Sequence, residues 1–175
     1  MEPGQRRRLP RAGQRGGAGT GPNPTDRGKP GAHHHLVADR RGVPLAAFST
    51  PANVNEGTVF ERLVDAIPAL KQPHGRPGRP RKRPKKLHAD LGYASRKNRA
   101  ALRRRHIAPR IARKGVEPRQ RLGRYRWVAE RDFAWLHRNR HLLVRYERDP
   151  ELHDAFLHLG CALICWQFLE RDGLC

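Results

Sequence analysis

Large apolar residues are almost absent from the first 31 residues of this 175-residue chain, and they recur afterwards in short runs and helical spacings. The first segment is rich in Gly, Pro and Arg, so it cannot bury enough surface to offset the entropy lost on ordering. We therefore predict that residues 1–31 are disordered and that residues 32–170 form one domain. Any hydrophobic core must come from that second segment.

The pattern within residues 32–170 alternates between strands and helices. Residues 36–39 and 43–48 are apolar and flank Arg40-Arg41-Gly42, which predicts a β-hairpin whose turn uses Gly42. Further strands are predicted at 87–90 and 107–112, with a polar loop at 114–123. Apolar residues three and four apart predict helices over 59–70 (capped by Asn55), 95–102, from 124 onwards and 152–166. The fold class predicted is mixed α/β.

The charge of the chain is strongly unbalanced. It carries 37 Lys and Arg against 16 Asp and Glu, a formal net charge of +21. Such a surplus favours a polyanionic partner, because neutralising phosphates releases condensed counterions. A ribosomal-type or simply basic protein would show the same excess.

Other features of the composition concern location. We find no apolar run of the roughly 18 residues that a membrane helix needs, and no apolar stretch of the kind found in signal peptides. The three cysteines, all near the C-terminus, do not form a disulfide framework. We therefore expect a cytoplasmic protein with no membrane partner.

Asp90 stands at the end of the apolar strand 87–90 and before Gly92. A carboxylate there would project into the crevice where α/β sheets bind ligands, and hard cations such as Mg²⁺ prefer carboxylate oxygens. Alternatively, Asp90 forms a turn by bonding the backbone of Gly92. The residues alone leave both interpretations open.

Glu130 lies on the predicted helix that begins near residue 124, with Arg126 one turn earlier. Trp127 and Trp135 indicate that part of this helix is buried, and a buried Glu needs a partner such as a metal ion. The alternative is a solvated pair between Arg126 and Glu130. An acid at a strand end and another on a later helix together suggest two-metal phosphoryl-transfer chemistry.

The segment 72–86 is a basic, Pro-rich connector. Its Gly-Arg-Pro core flanked by cations is similar to an AT-hook, whose arginines enter narrow minor grooves. We favour instead a solvated loop that grips phosphates without reading bases. In either case the predicted DNA-binding residues are Arg76, Arg79, Arg81, Lys82, Arg83, Lys85 and Lys86, joined by the arginines of the helix at 96–105.

His158, Cys161 and Cys165 recur three and four residues apart on the last helix, close enough to share a zinc ion. The neighbouring Leu159 and Leu163 favour an ordinary core helix. His33, His34 and His35 are expected to open the hairpin and not to bind metal.

Several ordered blocks resemble bacterial insertion-sequence transposases of the DDE, RNase H-like class. The blocks are 20–28 (TGPNPTDRG), 34–37 (HHLV), 87–93 (LHADLGY), 109–115 (PRIARKG), 122–131 (LGRYRWVAER), 134–136 (AWL), 144–148 (VRYER) and 160–166 (GCALICW). The resemblance covers roughly residues 20–170.

This resemblance implies an RNase H-like mixed sheet flanked by helices, with residues 32–170 as a partial catalytic domain. It implies Mg²⁺-dependent cleavage and joining of double-stranded DNA at transposon ends and targets, with Mn²⁺ able to substitute. Asp90 and Glu130 would match the second and third acids of the triad and hold the metal, and Arg126 would be the accompanying arginine. A nucleoid-associated protein, and room for a homo-oligomer, are also implied.

The first acid of the triad has no match. In the family it lies on a strand before the Thr-Gly-Pro block, whereas residues 1–19 here offer only Glu2 with no strand pattern around it. We therefore expect a fragment that lacks its first strand or strands and does not transpose DNA by itself. The alternative from another class is a non-catalytic basic DNA-binding protein with an AT-hook-like loop.

Overall fold

The computed structural model describes residues 11–12, 17–71, 78–112 and 119–173, with the backbone alone described at 11–12 and 119–126. The strands are β1 (Arg11–Ala12), β2 (Gly21–Pro22), β3 (Pro30–Ala38), β4 (Pro44–Pro51), β5 (Lys86–Ala89) and β6 (Ala108–Ile111). The helices are α1 (Glu56–Asp65), α2 (Arg96–Arg104), α3 (Arg119–Leu136), α4 (Arg140–Leu143) and α5 (Pro150–Arg171). The predicted mixed α/β class is confirmed.

Strand β3 organises a four-stranded antiparallel sheet. It pairs with β4 from Ala32↔Pro51 to Ala38↔Pro44, and β1 and β2 pair with its first residues. The turn between β3 and β4 uses Gly42 at φ +95°, a conformation that favours glycine. The predicted hairpin is confirmed, and β3 begins at Pro30 instead of residue 36.

Ordered structure therefore begins before the boundary predicted at residue 32. Backbone hydrogen bonds hold this early segment, including Asn23 N to Lys29 O at 2.9 Å. The buried guanidinium of Arg145 also donates to Gly19 O at 3.0 Å and to Ala18 O at 2.7 Å. Polar contacts of this kind leave no mark in a hydrophobic pattern, which explains why residues 17–31 were predicted to be disordered.

Strands β5 and β6 form a separate parallel pair, joined by α2 as the crossover. Helix α2 begins as predicted at Ser95, whose Oγ accepts a hydrogen bond from Asn98 N at 3.0 Å. Helix α1 begins likewise after Asn55, whose Oδ1 accepts from Gly57 N at 2.8 Å. Both caps are local signals, so sequence alone located these helices.

Helix α3 begins at Arg119, so the prediction of a polar loop over 114–123 is wrong for its last five residues. The prediction rested on the polar character of this segment. The residues at 119–122 are Arg, Gln, Arg and Leu, which are good helix formers, and a proline just before a helix is well tolerated.

Two apolar clusters form the core. One joins α1 to the β5–α2–β6 unit and contains Phe60, Val64, Ile67, Leu87, Tyr93, Leu102, Ile107 and Ile111. The other packs α3, α4 and α5 around Leu36 of β3 and contains Phe133, Leu136, Leu142, Leu157, Ile164 and Phe168.

Helix α5 is long and apolar enough, by length and composition alone, to cross a membrane. The mean hydropathy of an 18-residue stretch of this helix is 1.3, and 28% of that stretch is buried within the protein. The core helix of a globular protein passes the same test, so this is weak evidence for a membrane span.

Candidate functional site

Asp90 follows directly after β5 and begins a single 3-10 turn, Leu91–Tyr93. Its Oδ1 accepts a hydrogen bond from Leu91 N at 2.6 Å, and its side chain is half-buried. The turn-forming alternative named Gly92 as the donor, and the structure places that role on Leu91. One carboxylate oxygen caps the turn, and this geometry is compatible with a ligand on the same carboxylate.

The turn after Asp90 is fixed by Tyr93, which is only 4% exposed. Its Oη lies 3.0 Å from His35 Nδ1, and His35 Nε2 lies 2.8 Å from Thr50 Oγ1. Asn98 Nδ2 also donates to Tyr93 O at 2.9 Å. The strand end that carries Asp90 is therefore tied to the β3–β4 hairpin through buried side chains, which sequence reasoning missed.

Part of α3 is buried, as Trp127 and Trp135 predicted, but Glu130 itself is exposed. Trp127 is 50% exposed, whereas Trp135 is partly buried against the cluster that contains Phe133 and Phe168. These two indoles flank the guanidinium of Arg131, with ring centroids 4.7 and 4.6 Å from Arg131 Cζ. Both tryptophans therefore form a cation–π stack with Arg131, and Trp135 also packs on the core.

The buried acid of α3 is Asp132, which sequence reasoning did not single out. It is 0% exposed, and neither of its oxygens has a hydrogen-bond partner among the described residues. Burial is the main cause that raises the pKa of Asp132 to about 7, and Asp39 raises it further while Arg131 opposes the shift. A Cβ atom at position 42 would lie 2.8 Å from Asp132 Oδ1, so Gly42 permits this approach.

The two predicted ligands lie on different elements, Asp90 after β5 and Glu130 on α3, and the side chain of Arg126 is outside the described residues. Carboxylate oxygens suit Mg²⁺ and similar hard cations in kind. However, no group of three His, Cys, Asp or Glu side chains that could hold a metal occurs within the described part of the chain.

Two backbone hydrogen bonds join Leu70, just before the basic connector, to Arg81 within it. Leu70 N donates to Arg81 O at 2.9 Å, and Arg81 N donates to Leu70 O at 2.7 Å, so these two residues close the loop that contains 72–80. Arg76 lies outside the described residues. The remaining six predicted DNA-binding residues, Arg79, Arg81, Lys82, Arg83, Lys85 and Lys86, are all exposed.

Nearby acids are already neutralised by the arginines of α2 and its C-terminal end. Arg105 binds both oxygens of Asp65, at 2.8 and 2.7 Å, and also contacts Glu61 at 3.0 Å. The hydrogen bond from Arg105 is the main cause that lowers the pKa of Asp65, and Lys82 and Arg83 add to it. Asp65, on which Lys82 and Arg83 of the connector also act, is thus already paired with Arg105.

The arginines of the helix at 96–105 differ in their contacts within the protein. Arg99 donates to Ile111 O at 3.0 Å and to Ala112 O at 3.1 Å, so it satisfies the carbonyl groups at the C-terminal end of β6. Arg105 is occupied by its two acids. Arg96 and Arg103 are exposed.

The zinc interpretation of the last helix gains no support. His158 Nε2 lies 2.9 Å from Ala47 O, and Cys165 Sγ contacts Pro44 O at 4.0 Å. Burial raises the pKa of Cys161 to about 12, which keeps this thiol protonated and a poor metal ligand. Packing of α5 on β4 accounts for all three residues.

A second buried polar network, also missed from sequence, links β3 to the start of α5. His34 Nε2 lies 2.8 Å from His153 Nε2, and His153 Nδ1 lies 3.1 Å from Glu147 Oε2. Glu147 also contacts His141 Nδ1. Adjacent Arg145, only 1% exposed, donates from Nε to Glu147 O at 2.9 Å. Because its residues are far apart in sequence, this network could not be predicted from a local motif.

A strand-end acid, a helical acid and an exposed cationic loop are the parts that a DNA-processing enzyme would need. The family model for the transposase DDE domain matches residues 5–166, which is most of the 175-residue chain. The chain therefore belongs to the transposase DDE-domain family, and the predicted class of protein, a DDE transposase of the insertion-sequence type, is confirmed.

A curated relative leads to the same class. The chain is 53% identical over 152 residues to the Burkholderia cepacia protein named "Putative transposase for insertion sequence element IS402". The match covers 87% of this chain and 71% of that protein. No solved structure matches the chain.

Proposed function

We propose that this chain acts on double-stranded DNA as a DDE-type transposase, with Asp90 and Glu130 as ligands of Mg²⁺, for which Mn²⁺ can substitute. Residues 32–170 would be the catalytic domain, with an RNase H-like fold. The parallel β5–α2–β6 unit beside an antiparallel hairpin supports that fold. Transposon ends and target DNA would be the partners, in the bacterial cytoplasm at the nucleoid.

The observation that carries the proposal is the placement of Asp90. Its carboxylate is held at the end of β5 by a turn whose Tyr93 is anchored in the core, and it remains half-exposed. A ligand held in this way loses little further freedom on binding a cation. Arg126 is one helical turn before Glu130, so both lie on one face of α3, as an arginine accompanying an acid should.

The metal-ligand role of Asp90 can be separated from its role in the turn. Asp90→Asn keeps an oxygen at the position that caps Leu91 N but removes the charge, whereas Asp90→Ala removes both. We expect Asp90→Asn to weaken Mn²⁺ binding to the protein–DNA complex, measured by electron paramagnetic resonance, with little change in melting temperature. Glu130→Gln should act in the same way, and Glu151→Gln on exposed α5 is the control.

If Mn²⁺ affinity is the same in Asp90→Asn, Glu130→Gln and the unmodified chain, the two acids are not metal ligands. A fall in melting temperature for Asp90→Ala alone would then leave the capping role as the whole function of this carboxylate. The measurement does not require catalytic turnover, so it remains decisive for a weakly active chain.

Two acids are fewer than a two-metal centre uses, so we expect the 175-residue chain alone to cleave DNA poorly. The test is nicking of supercoiled plasmid in Mg²⁺ or Mn²⁺. Rapid metal-dependent nicking that Asp90→Ala abolishes would contradict this expectation while supporting the catalytic role of Asp90. Nicking that persists in Asp90→Ala would point to a contaminating nuclease.

A second candidate function is non-catalytic DNA binding through an AT-hook-like connector. The exposure of Arg79 and Arg81 around Pro80 favours it. Minor-groove insertion predicts tighter binding to AT-rich than to GC-rich duplexes, whereas phosphate contacts alone predict equal binding. We expect equal binding at matched salt, and a clear AT preference would favour the hook.

A further inference from the structure

Helix α5 has a second apolar face that the core does not use. Its inward face packs on the rest of the protein through Leu157, Gly160, Ile164 and Phe168. Its outward face consists of six exposed residues at alternating spacings of three and four, Leu152, Ala155, Leu159, Ala162, Trp166 and Leu169, which we call the outer stripe. Its large members are between 40% and 57% exposed.

The spacing of the outer stripe matches a coiled-coil seam. A 3-4-3-4-3 repeat over 18 residues keeps apolar side chains on one line, which is the requirement for packing along a second helix. A helix that only had to cover the core would not need a second line of Leu and Trp. Contiguous exposed apolar surface of this kind marks an interaction site.

We propose that the outer stripe pairs with the same stripe of a second copy of this chain, with the two α5 helices antiparallel. This inference does not depend on the catalytic role of Asp90 or Glu130. Because one self-complementary surface serves both copies, the pairing closes as a two-fold dimer and does not grow into a filament.

The sizes of the side chains select the antiparallel orientation. In that orientation Leu152 faces Leu169, Ala155 faces Trp166 and Leu159 faces Ala162, so every alanine meets a large residue and layers interdigitate. A parallel pair would instead place Trp166 against Trp166 and each alanine against itself. That arrangement would leave gaps at the alanines and a clash at the indoles.

The chemistry of α5 favours another protein helix over DNA as the occupant. Between Pro150 and Arg171 the helix carries Glu151, Asp154 and Glu170 against a single Arg171, in a chain with a net charge of +21. An acidic helix repels phosphates, and it is the part of this basic chain where two copies can approach most easily.

A groove next to the outer stripe could hold the indole of Trp166 from the second copy. It has a volume of about 220 Å³, and Phe156, Leu159 and Leu163 are among the residues that line it. Trp166 of the second copy would lie opposite Ala155, beside Phe156 and one turn from Leu159. A large aromatic side chain inserted into such a groove is a typical anchor of protein interfaces.

The first test is the mass of the full chain in solution. In 0.5 M NaCl, which suppresses nucleic-acid binding, sedimentation equilibrium should give twice the 20.0 kDa of one chain. Leu159→Glu and Trp166→Glu should each return the mass to one chain with unchanged circular dichroism, because both positions are exposed. Leu70→Glu, an equally exposed leucine outside α5, should leave the dimer intact.

The second test addresses orientation. In a background with Cys161, Cys165 and Cys175 replaced by Ser, chains carrying Leu152→Cys and chains carrying Leu169→Cys are mixed and oxidised. The antiparallel pair predicts disulfides only in the mixture. Disulfides formed by either variant alone, or in neither case, would overturn the proposed orientation.

A single-chain mass for the unmodified protein at 100 μM would overturn the dimer. Flotation with phosphatidylcholine vesicles covers the competing occupant. If the unmodified chain is monomeric and floats with vesicles while Leu159→Glu does not, the outer stripe binds lipid and the proposal is wrong. A dimer that Leu159→Glu fails to dissociate would place the interface elsewhere and would also refute it.

Discussion

The Nε2 atoms of His34 and His153 face each other at 2.8 Å in a buried contact between β3 and α5. Glu147 fixes the direction of this contact, because a carboxylate only accepts hydrogen bonds. His153 Nδ1 therefore donates to Glu147 Oε2, and neutral His153 Nε2 accepts from His34. A proton added to His153 Nε2 would point at the N–H of His34.

This arrangement predicts acid sensitivity centred on His153. Burial is the main cause that lowers its pKa from the ordinary 6.5, and nearby Arg145 lowers it further, although Glu147 opposes the shift. The unfolded chain therefore binds a proton that the folded chain does not, and stability is lost as pH falls below about 6.5. Per pH unit, one such proton changes the free energy of unfolding by up to about 1.4 kcal/mol.

We expect His153→Gln to remove this slope, since glutamine can donate to Glu147 and accept from His34 without titrating. The measurement is urea unfolding between pH 5 and pH 8. His106→Asn, at an exposed histidine outside the network, should keep the slope of the unmodified chain. Parallel pH profiles for His153→Gln and the unmodified chain would contradict the prediction.

Asp132 should change the stability of the protein with pH in the opposite direction to His153. Its folded pKa of about 7 lies above the ordinary 3.8, so the folded chain holds a proton that the unfolded chain releases. The stabilisation is complete below pH 3.8 and is lost as pH rises towards 7. Arg131 on the same helix and Asp39 in the turn between β3 and β4 shift the pKa of this carboxylate electrostatically. Asp132 in turn raises the pKa of Cys161 on α5.

Asp132→Asn should therefore stabilise the protein more at pH 8 than at pH 4, by an amount on the order of a few kcal/mol. Thermal melting at several pH values measures the difference between variant and unmodified chain. Glu151→Gln, at an exposed acid, should give a small offset at every pH. If the gain from Asp132→Asn were the same at pH 4 and pH 8, the buried carboxylate would not be the cause.

Tyr93→Phe tests the tether that positions Asp90. Loss of the hydroxyl leaves buried His35 Nδ1 without this partner, which should lower the free energy of unfolding by roughly 1–2 kcal/mol. Tyr146→Phe is the matched control, because its hydroxyl accepts a hydrogen bond from exposed Arg140 Nε at 3.1 Å, and it should cost less. Equal effects of the two substitutions would show that the tether contributes nothing special.

The connector predicts the salt dependence of DNA binding. Replacing Arg81, Lys82 and Arg83 together by Gln removes up to three phosphate contacts, so the slope of log K against log salt should fall by about 0.9 for each contact. Lys29, Arg138 and Arg148 replaced by Gln form the control with the same change in charge. If both triple variants change the slope equally, binding follows net charge and not this loop.

How well the sequence predicted the fold depended on the range of the interactions. Asn55 and Ser95 were located correctly as caps because a cap acts within three residues. The extra order before residue 32 was missed partly because Arg145, more than a hundred residues later, supplies two of its hydrogen bonds. The position of Asp90 after a strand was predictable from the alternation of apolar runs.

The sequence suggested Asp90 and Glu130 as metal ligands, and that role stays a prediction, but it did not specify which side chains of α3 are buried. Tryptophans at 127 and 135 suggested a buried helix face, yet they stack on Arg131 and leave Glu130 exposed. Asp132, two residues later, is the buried acid because α3 turns that position towards the hairpin turn at Gly42. A helical pattern cannot specify which neighbouring element approaches which face.

The pair of hydrogen bonds between Leu70 and Arg81 has a consequence for how this protein can diversify. These bonds join the chain before and after the intervening residues. We therefore expect that those residues can be replaced by another sequence without disturbing α1 before them or β5 after them. Grafting loops of different length and charge between Leu70 and Arg81 should change which nucleic acids are retained while the rest of the molecule melts at the same temperature.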